Sequence, residues 1–553
     1  VGTKSGTSLD PRNGGAVSSG VPFADFLLGD VGTWNIFNGT PTNIASWITG
    51  AFVNDDFKIK PRLTLNIGLR YQHQTGWAVA NNTFGNFEPS LPNPGVGGQL
   101  GALRFGGVDG HNTIEPSVNS WSPRIGFAWS PVDKWSFRGS YGIFQVFRGT
   151  ELYAHDNFPA TLALGFTPHG FIGNGSDVAF PLQTGPPPGS VTVPTVATLT
   201  PDAFNFDRVA RYEPELPLQY VQQFLLSIQR ELPLSHLVDV SYVHTKGTHL
   251  SFPTDMNQVP ESLLAASGNN GNDFDRLRPF PWFRGILAHD FTGWSNYDAL
   301  QVRVVKRATH GVSYQFNYAW SKTMDTGTSS GHDQSLSDQN QSGWQIARDP
   351  LANYGISGLN ATHNFNGSVT YELPFGPGRM FPVHGVLNQI IGGWRVTSVI
   401  QAHSGNPFTP IVSTGANGGD PAESGSPSCF CGYNLRPNRI GSGKLSNPTI
   451  LRWFDASAFT DPTNGGTTPA FGNSGRNFLN GPKYVNFDVG IGKTFAVRES
   501  MGLEVRADSY NFFNHPQFGG PNTNIAVPEA GQITTANNGG AGRVFQMGAR
   551  FTF

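Results

Sequence analysis

Thirteen stretches of this chain alternate apolar and polar residues one for one, and the last of them ends on the final residue. There Phe545, Met547, Ala549, Phe551 and Phe553 share one face, while Gln546, Gly548, Arg550 and Thr552 share the other. A strand repeats its side-chain direction every two residues, so each such segment has one greasy face and one wet face. No helical period intervenes. A chain written this way folds as sheet, with water on one side and core or lipid on the other.

The same alternation places Leu63, Leu65, Ile67, Leu69 and Tyr71 against Thr64, Asn66, Gly68 and Arg70. It recurs with Trp135, Phe137, Tyr141 and Ile143, and with Val312, Tyr314, Phe316, Tyr318 and Trp320. The discriminating segment is Leu503, Val505 and Ala507 against Glu504, Arg506 and Asp508. Three successive charges on one face are costly in a dry core. They suit a wet or plugged lumen, which favours a large barrel over a sandwich.

Composition agrees. Gly is 69 of 553 residues, against an average usage of about 7%. Charged residues are only 13%, about half the usual share. The net charge of −2 gives no basic footprint, so nucleic acid is not an expected partner. No apolar run is long enough for a transmembrane helix, but a barrel strand needs only about 9–11 alternating residues.

Short turns at Lys60-Pro61, Pro131-Val132-Asp133, Leu232-Pro233-Leu234, Thr309-His310-Gly311 and Val497 to Ser500, and a longer one from Pro374 to Gly392, alternate with long loops. Those loops, rich in Gly, Asn, Ser and Pro, cover roughly 77–120, 148–217, 249–293, 323–362, 405–482 and 515–541. Short turns at one end and long loops at the other describe an outer-membrane barrel. The fold class expected is therefore all-β: a large antiparallel transmembrane β-barrel with short periplasmic turns and long extracellular loops. Since bacterial single-chain barrels have an even strand number, a further strand is expected, with Phe23 to Leu28 as candidate. Trp77, Trp121, Trp320 and Trp394 suit interfacial girdles. The opening Val1-Gly2-Thr3-Lys4 has no Met, charged n-region or apolar h-region, and a fragment is the expectation. Residues 1–45 would be a partial upstream strand and loop, and 46–553 the barrel proper.

Several phrases then become recognisable. The segment from Val53 to Tyr71, VNDDFKIKPRLTLNIGLRY, resembles the "QDDWKVTPRLTLNLGLRYE" hairpin of TonB-dependent outer-membrane receptors, and more narrowly their Oar-like branch. Ser295 to Gln301 resembles "SNYNALQ", Tyr318 to Lys322 "YTWSK", Tyr371 to Gly376 "YELPFG", and Tyr510 to Phe518 "FNLFNHPQF". The phrases run in order from about residue 45 to the end. The resemblance implies an outer-membrane location and a lumen plugged by a separate domain that couples to the TonB complex. Upstream signal peptide, β-sandwich, TonB box and plug domain, usual in that branch, are not visible here. Phe551 and Phe553 resemble the terminal signal read by the barrel-assembly machinery.

An enzyme is not expected. Gly327-Thr328-Ser329-Ser330-Gly331 fits a nucleophile pattern but opens a loop with no helix behind it. Cys429 and Cys431 lack two further ligands for a soft metal, and a local loop disulfide is expected instead. His244 and His249 read as rim histidines. Asp273/Asp275 and Asp333/Asp338 lack the Gly and Glu of a calcium loop. Neither metal nor cofactor is expected. The residues expected to line the lumen are Arg70, Arg138, Arg303, Glu504, Arg506, Asp508 and Arg550. The function expected is the barrel of a TonB-dependent transporter for a bulky solute of siderophore, oligosaccharide or peptide class. The alternatives are an adhesion- or secretion-related barrel without active transport, and a secreted β-rich glycan-binding protein.

Overall fold

A computed structural model describes residues 44–79, 84–107, 117–146, 199–205, 217–264, 276–283, 285–327, 345–347, 349–412, 435–463, 470–498, 501–536 and 542–553. Shorter pieces are described at 2–3, 29–37, 82, 113, 169–172, 180–188, 208–212 and 266. Phe23 to Leu28, Cys429, Cys431, Ser329, Asp273, Asp275, Asp333 and Asp338 lie outside the described residues.

Thirteen strands follow one another across a single sheet in chain order. They are β1 (Ile48–Lys60), β2 (Leu63–Gln74), β3 (Val118–Trp129), β4 (Trp135–Gln145), β5 (Tyr220–Leu232), β6 (His236–Asp255) and β7 (Gly285–Thr309). Then come β8 (Val312–Asp325), β9 (His363–Glu372), β10 (Trp394–His403), β11 (Tyr484–Arg498), β12 (Met501–Tyr510) and β13 (Val544–Thr552). Every neighbouring pair is antiparallel. This is an up-and-down sheet, each strand lying beside its neighbour in the chain. Antiparallel neighbours need only a hairpin between them, and the turn residues supply it. His310 and Gly311 both hold positive φ, 54° and 78°, the geometry a two-residue turn requires to match the strand twist.

The apolar face points away from the protein. Ile67, Ile125, Leu226, Leu300, Trp320, Phe545 and Met547 are all exposed, Met547 by 85%. Such a continuous apolar surface is untenable in water. Bands of aromatic side chains bound it. Toward the short turns, Trp135 stacks on Phe137 at 6.0 Å and Trp394 donates to the Ile390 carbonyl at 2.8 Å. Toward the long loops, Tyr71 meets Trp121 at 4.7 Å and Tyr318 stacks on His363 at 6.2 Å.

The long loops differ from the sequence expectation. The connection expected over 249–293 is much shorter, because β6 continues to Asp255 and β7 begins at Gly285. With 20 and 25 residues, both strands outrun the ~9–11 a bilayer needs and carry the sheet beyond it. Most of the buried apolar side chains among the described residues also sit there. Phe87, Leu103, Phe204, Trp282, Phe283 and Ile286 form one cluster, drawn from three separate connections and the start of β7. Phe408, Phe454, Phe459 and Leu479 form another within the β10–β11 connection. The connection from Pro374 to Gly392 contains a short helix, Gly385–Ile391, whose final carbonyls accept from Lys493.

Gly101 shows how tightly this cap is built. Its φ of +113° is one that side-chain-bearing residues rarely adopt, its carbonyl accepts from the Trp282 indole at 2.8 Å, and a Cβ there would run into Phe280. Gly101→Ala is expected to destabilise the cap by about 1–3 kcal/mol. Faster hydrogen exchange across 85–105 and 276–286, with the strands unchanged, is the measurement.

Candidate functional site

The register decides which side chains share a face, because directly opposed residues of an antiparallel pair project to the same side. Arg70 opposes Ser122 on β3, and Arg138 opposes Ala128 on that strand and Ser227 on β5. Ser227 leads through Ser241 to Gln301, two residues from Arg303. Arg303 leads through Asn317, Asn366 and Gln401 to Asn486. On that face of β11, Gly490, Gly492 and Thr494 oppose Asp508, Arg506 and Glu504, and Glu504 opposes Arg550. All the residues named from the sequence as lumen-lining therefore lie on one polar face, the side opposite the apolar belt.

That face is rich in paired charge. Arg506 donates to Asp508 at 2.6 Å, and Arg395 lies 3.7 Å from Glu504. Ser227 and Ser241 donate to Asp239, which opposes Arg303. Across β1 to β5 the same face forms a groove of about 510 Å³ lined by Asn54, Asp56, Asn66, Arg124, Arg138 and Gln223. One of its guanidinium groups is held in place: Arg124 lies 4.9 Å over the Phe144 ring. Asn66 donates to Asp56, which leaves the groove walls supplying both charge signs and amides. Such a surface can hydrogen-bond a polar solute or a second protein domain in many registers. Arg124, Asp239 and Arg395 were not singled out in the sequence, although each obeys the same alternation.

Above the wall, buried polar groups join separate loops. Gln258 donates to the Gln345 carbonyl at 3.1 Å, and Gln345 donates to the Gly472 carbonyl at 3.0 Å. The Gln345 side-chain oxygen accepts from the Arg436 amide at 2.7 Å. Arg476 bonds the Asp325 carboxylate and the Asn353 carbonyl, both within the cap. Burial, with nearby Arg476 adding to it, lowers the Arg436 guanidinium to about 10. It remains charged at neutral pH and is held by the Ala352 carbonyl and Asn353. At the cap surface, the Ser457 hydroxyl and then Arg452 hold the Asp455 carboxyl below its ordinary value of 3.8. That contribution is complete above 3.8 and is lost as pH falls through the lowered value. Asp455→Asn is therefore expected to make local exchange at 449–460 less sensitive to acid.

The sequence-named histidines fall apart in space. His244 shares Asp298 with the Tyr242 hydroxyl, at 2.8 and 2.6 Å, on the apolar side of the wall. His249 instead bonds the Leu218 carbonyl at 3.3 Å. Among the described residues no group of three or more His, Cys, Asp or Glu could hold a metal ion.

Three solved structures are similar to this chain over most of its length. The ferric-catecholate import receptor Fiu of E. coli K12 is 11% identical with a TM-score of 0.39, covering 93% of this chain and 45% of that one. The outer membrane transporter YddB of Escherichia coli is 9% identical with a TM-score of 0.42, covering 93% and 55%. The siderophore receptor PiuA of Acinetobacter baumannii is 10% identical with a TM-score of 0.39, covering 93% and 44%. The chain spans about half the length of these proteins. No curated relative matches. A family model described as an outer membrane beta barrel domain matches residues 3–546. The chain belongs to that family, and its place is the bacterial outer membrane.

Proposed function

We propose that this chain is the barrel portion of a TonB-dependent transporter of the Oar-like branch. One observation carries the proposal: a continuous polar face, laddered with paired and unlike charges, runs the width of the wall beneath an ordered loop cap. A lumen of that kind solvates and seats a polar plug. The cap, built from aromatic clusters and buried amides, captures a bulky solute of siderophore, oligosaccharide or peptide class. Arg70, Arg138, Arg303, Glu504, Arg506, Asp508 and Arg550 line this lumen and pair with the plug. Phe551 and Phe553, stacked at 6.2 Å at the chain terminus, serve as the assembly signal. Barrel-assembly machinery, plug and TonB complex are the protein partners in this proposal, and no cofactor is involved.

The test is energised uptake. Cells expressing the protein are offered labelled ferric siderophores, oligosaccharides and peptides, with and without a functional TonB protein. Accumulation of one class that depends on TonB supports the proposal. Equal accumulation of every class in both strains overturns it and favours adhesion or secretion. Glu504→Leu combined with Arg506→Leu is expected to lower that uptake at least about tenfold, because charged hydrogen bonds to a plug contribute about 1.5–3 kcal/mol each. Unchanged assembly and uptake in this variant would remove the lumen assignment.

A further inference from the structure

The outward face changes character abruptly at its long-loop end. Ascending β8, the outward residues are Tyr314, Phe316, Tyr318 and Trp320, and then Lys322. The Trp320 row runs through Tyr242 and Leu300 on one side and His363 on the other. One row higher stand His244, Asp298 and Lys322, and above them Lys246, Asn296 and Met324. Beside His363, past the end of β10, Lys483 occupies the corresponding outward position immediately before β11. Lys246, Lys322 and Lys483 are exposed and have no carboxylate partner among the described residues. Asp298, the carboxylate of this band, is taken up by Tyr242 and His244.

Next to Lys483 the same face carries a concavity of about 560 Å³, walled by His363, Phe365, Ala402, Trp453, Tyr484 and Val485. Trp453 is fixed there by its indole, which donates to the Asn480 carbonyl at 2.8 Å. Phe365, Ala402 and Val485 belong to the row just below Trp320 and so open the concavity onto the apolar belt. An occupant must therefore be apolar below and anionic above.

We propose that this concavity, with Lys483 at its upper edge, is a docking site for a phosphate-bearing anionic lipid of the outer leaflet. Its acyl chains lie against Phe365, Ala402 and Val485, and its phosphate meets the Lys483 ammonium at the level where the hydrocarbon ends. Trp453 flanks the glycerol or sugar region, where amphipathic rings settle. Long lysine side chains near this boundary reach toward the headgroups while their stems cover apolar surface.

The test uses the full chain, folded in detergent and mixed with equal phosphatidylglycerol and phosphatidylcholine of one chain length, with retained lipid read by native mass spectrometry. Wild type is expected to retain phosphatidylglycerol preferentially. Lys483→Gln should weaken that preference roughly fivefold, the effect of one lysine near a lipid phosphate. Lys483→Arg should restore it, which separates charge from any folding defect. Heat-modifiable migration on a gel establishes that each variant is folded. Equal retention of both lipids by wild type, or an undiminished preference in the folded glutamine variant, overturns the proposal.

Discussion

Val302→Arg is expected to cost about 2–4 kcal/mol of stability in a bilayer, the amount an arginine costs at mid-depth on a lipid-facing strand. Val302 lies on the outward face of β7, opposed by Val240 on β6 and Tyr318 on β8. The chain's own charges bracket it. On the same face of β7, Lys306 lies toward the short turns, with its ammonium bonded to the Thr309 carbonyl at 2.9 Å, and Asp298 lies toward the long loops. Charge is tolerated at both ends of that strand because each end lies near water, where the same substitution costs about 0–1 kcal/mol. Gln301→Arg, one residue away on the polar face, is therefore expected to be nearly neutral. Denaturant unfolding in lipid vesicles measures the pair. If both arginine variants match wild type within about 0.5 kcal/mol, as exposed positions in water do, the apolar face is not in hydrocarbon.

The physics behind that contrast also explains what was legible in the sequence. A period of two is local, so the strands and the shared face of Arg70, Arg138, Arg303, Glu504, Arg506, Asp508 and Arg550 follow from residue order once pairing is antiparallel. The wall's sequential order follows from the short turns, since a hairpin leaves its strands adjacent. The cap follows no such period. Phe87, Phe204 and Phe283 meet although their connections lie far apart in the chain, and nothing near any of them marks it as buried. Gln345 reads as a loop glutamine, yet it is buried between the Gly472 carbonyl and the Arg436 amide. The helix Gly385–Ile391 is hidden because Gly and Pro dominate the connection around it. Long connections rich in Gly and Asn thus read as irregular while their sparse aromatic and amide residues assemble a core.

Arg476→Leu probes that cap most severely. The Arg476 and Asp325 side chains are 3% and 5% exposed, so the guanidinium is the only compensation the carboxylate has for its lost water among the ion pairs described. Removing it leaves a buried charge unpaired, which typically costs about 3–5 kcal/mol. It also frees the Asn353 and Asp325 carbonyls that Arg476 holds. The damage is local, because the pair joins the upper end of β8 to the β10–β11 connection and leaves the wall's own ladder intact. Hydrogen exchange over 345–356 and 470–480 should accelerate strongly, while the amides of β9 to β12 below stay protected. Adding Asp325→Leu to Arg476→Leu should recover most of the loss, since exchanging a buried ion pair for apolar side chains of similar volume is often neutral or favourable. A double variant as labile as the single one would mean that the bonds to the backbone carbonyls, and not the charge pair, hold these loops together.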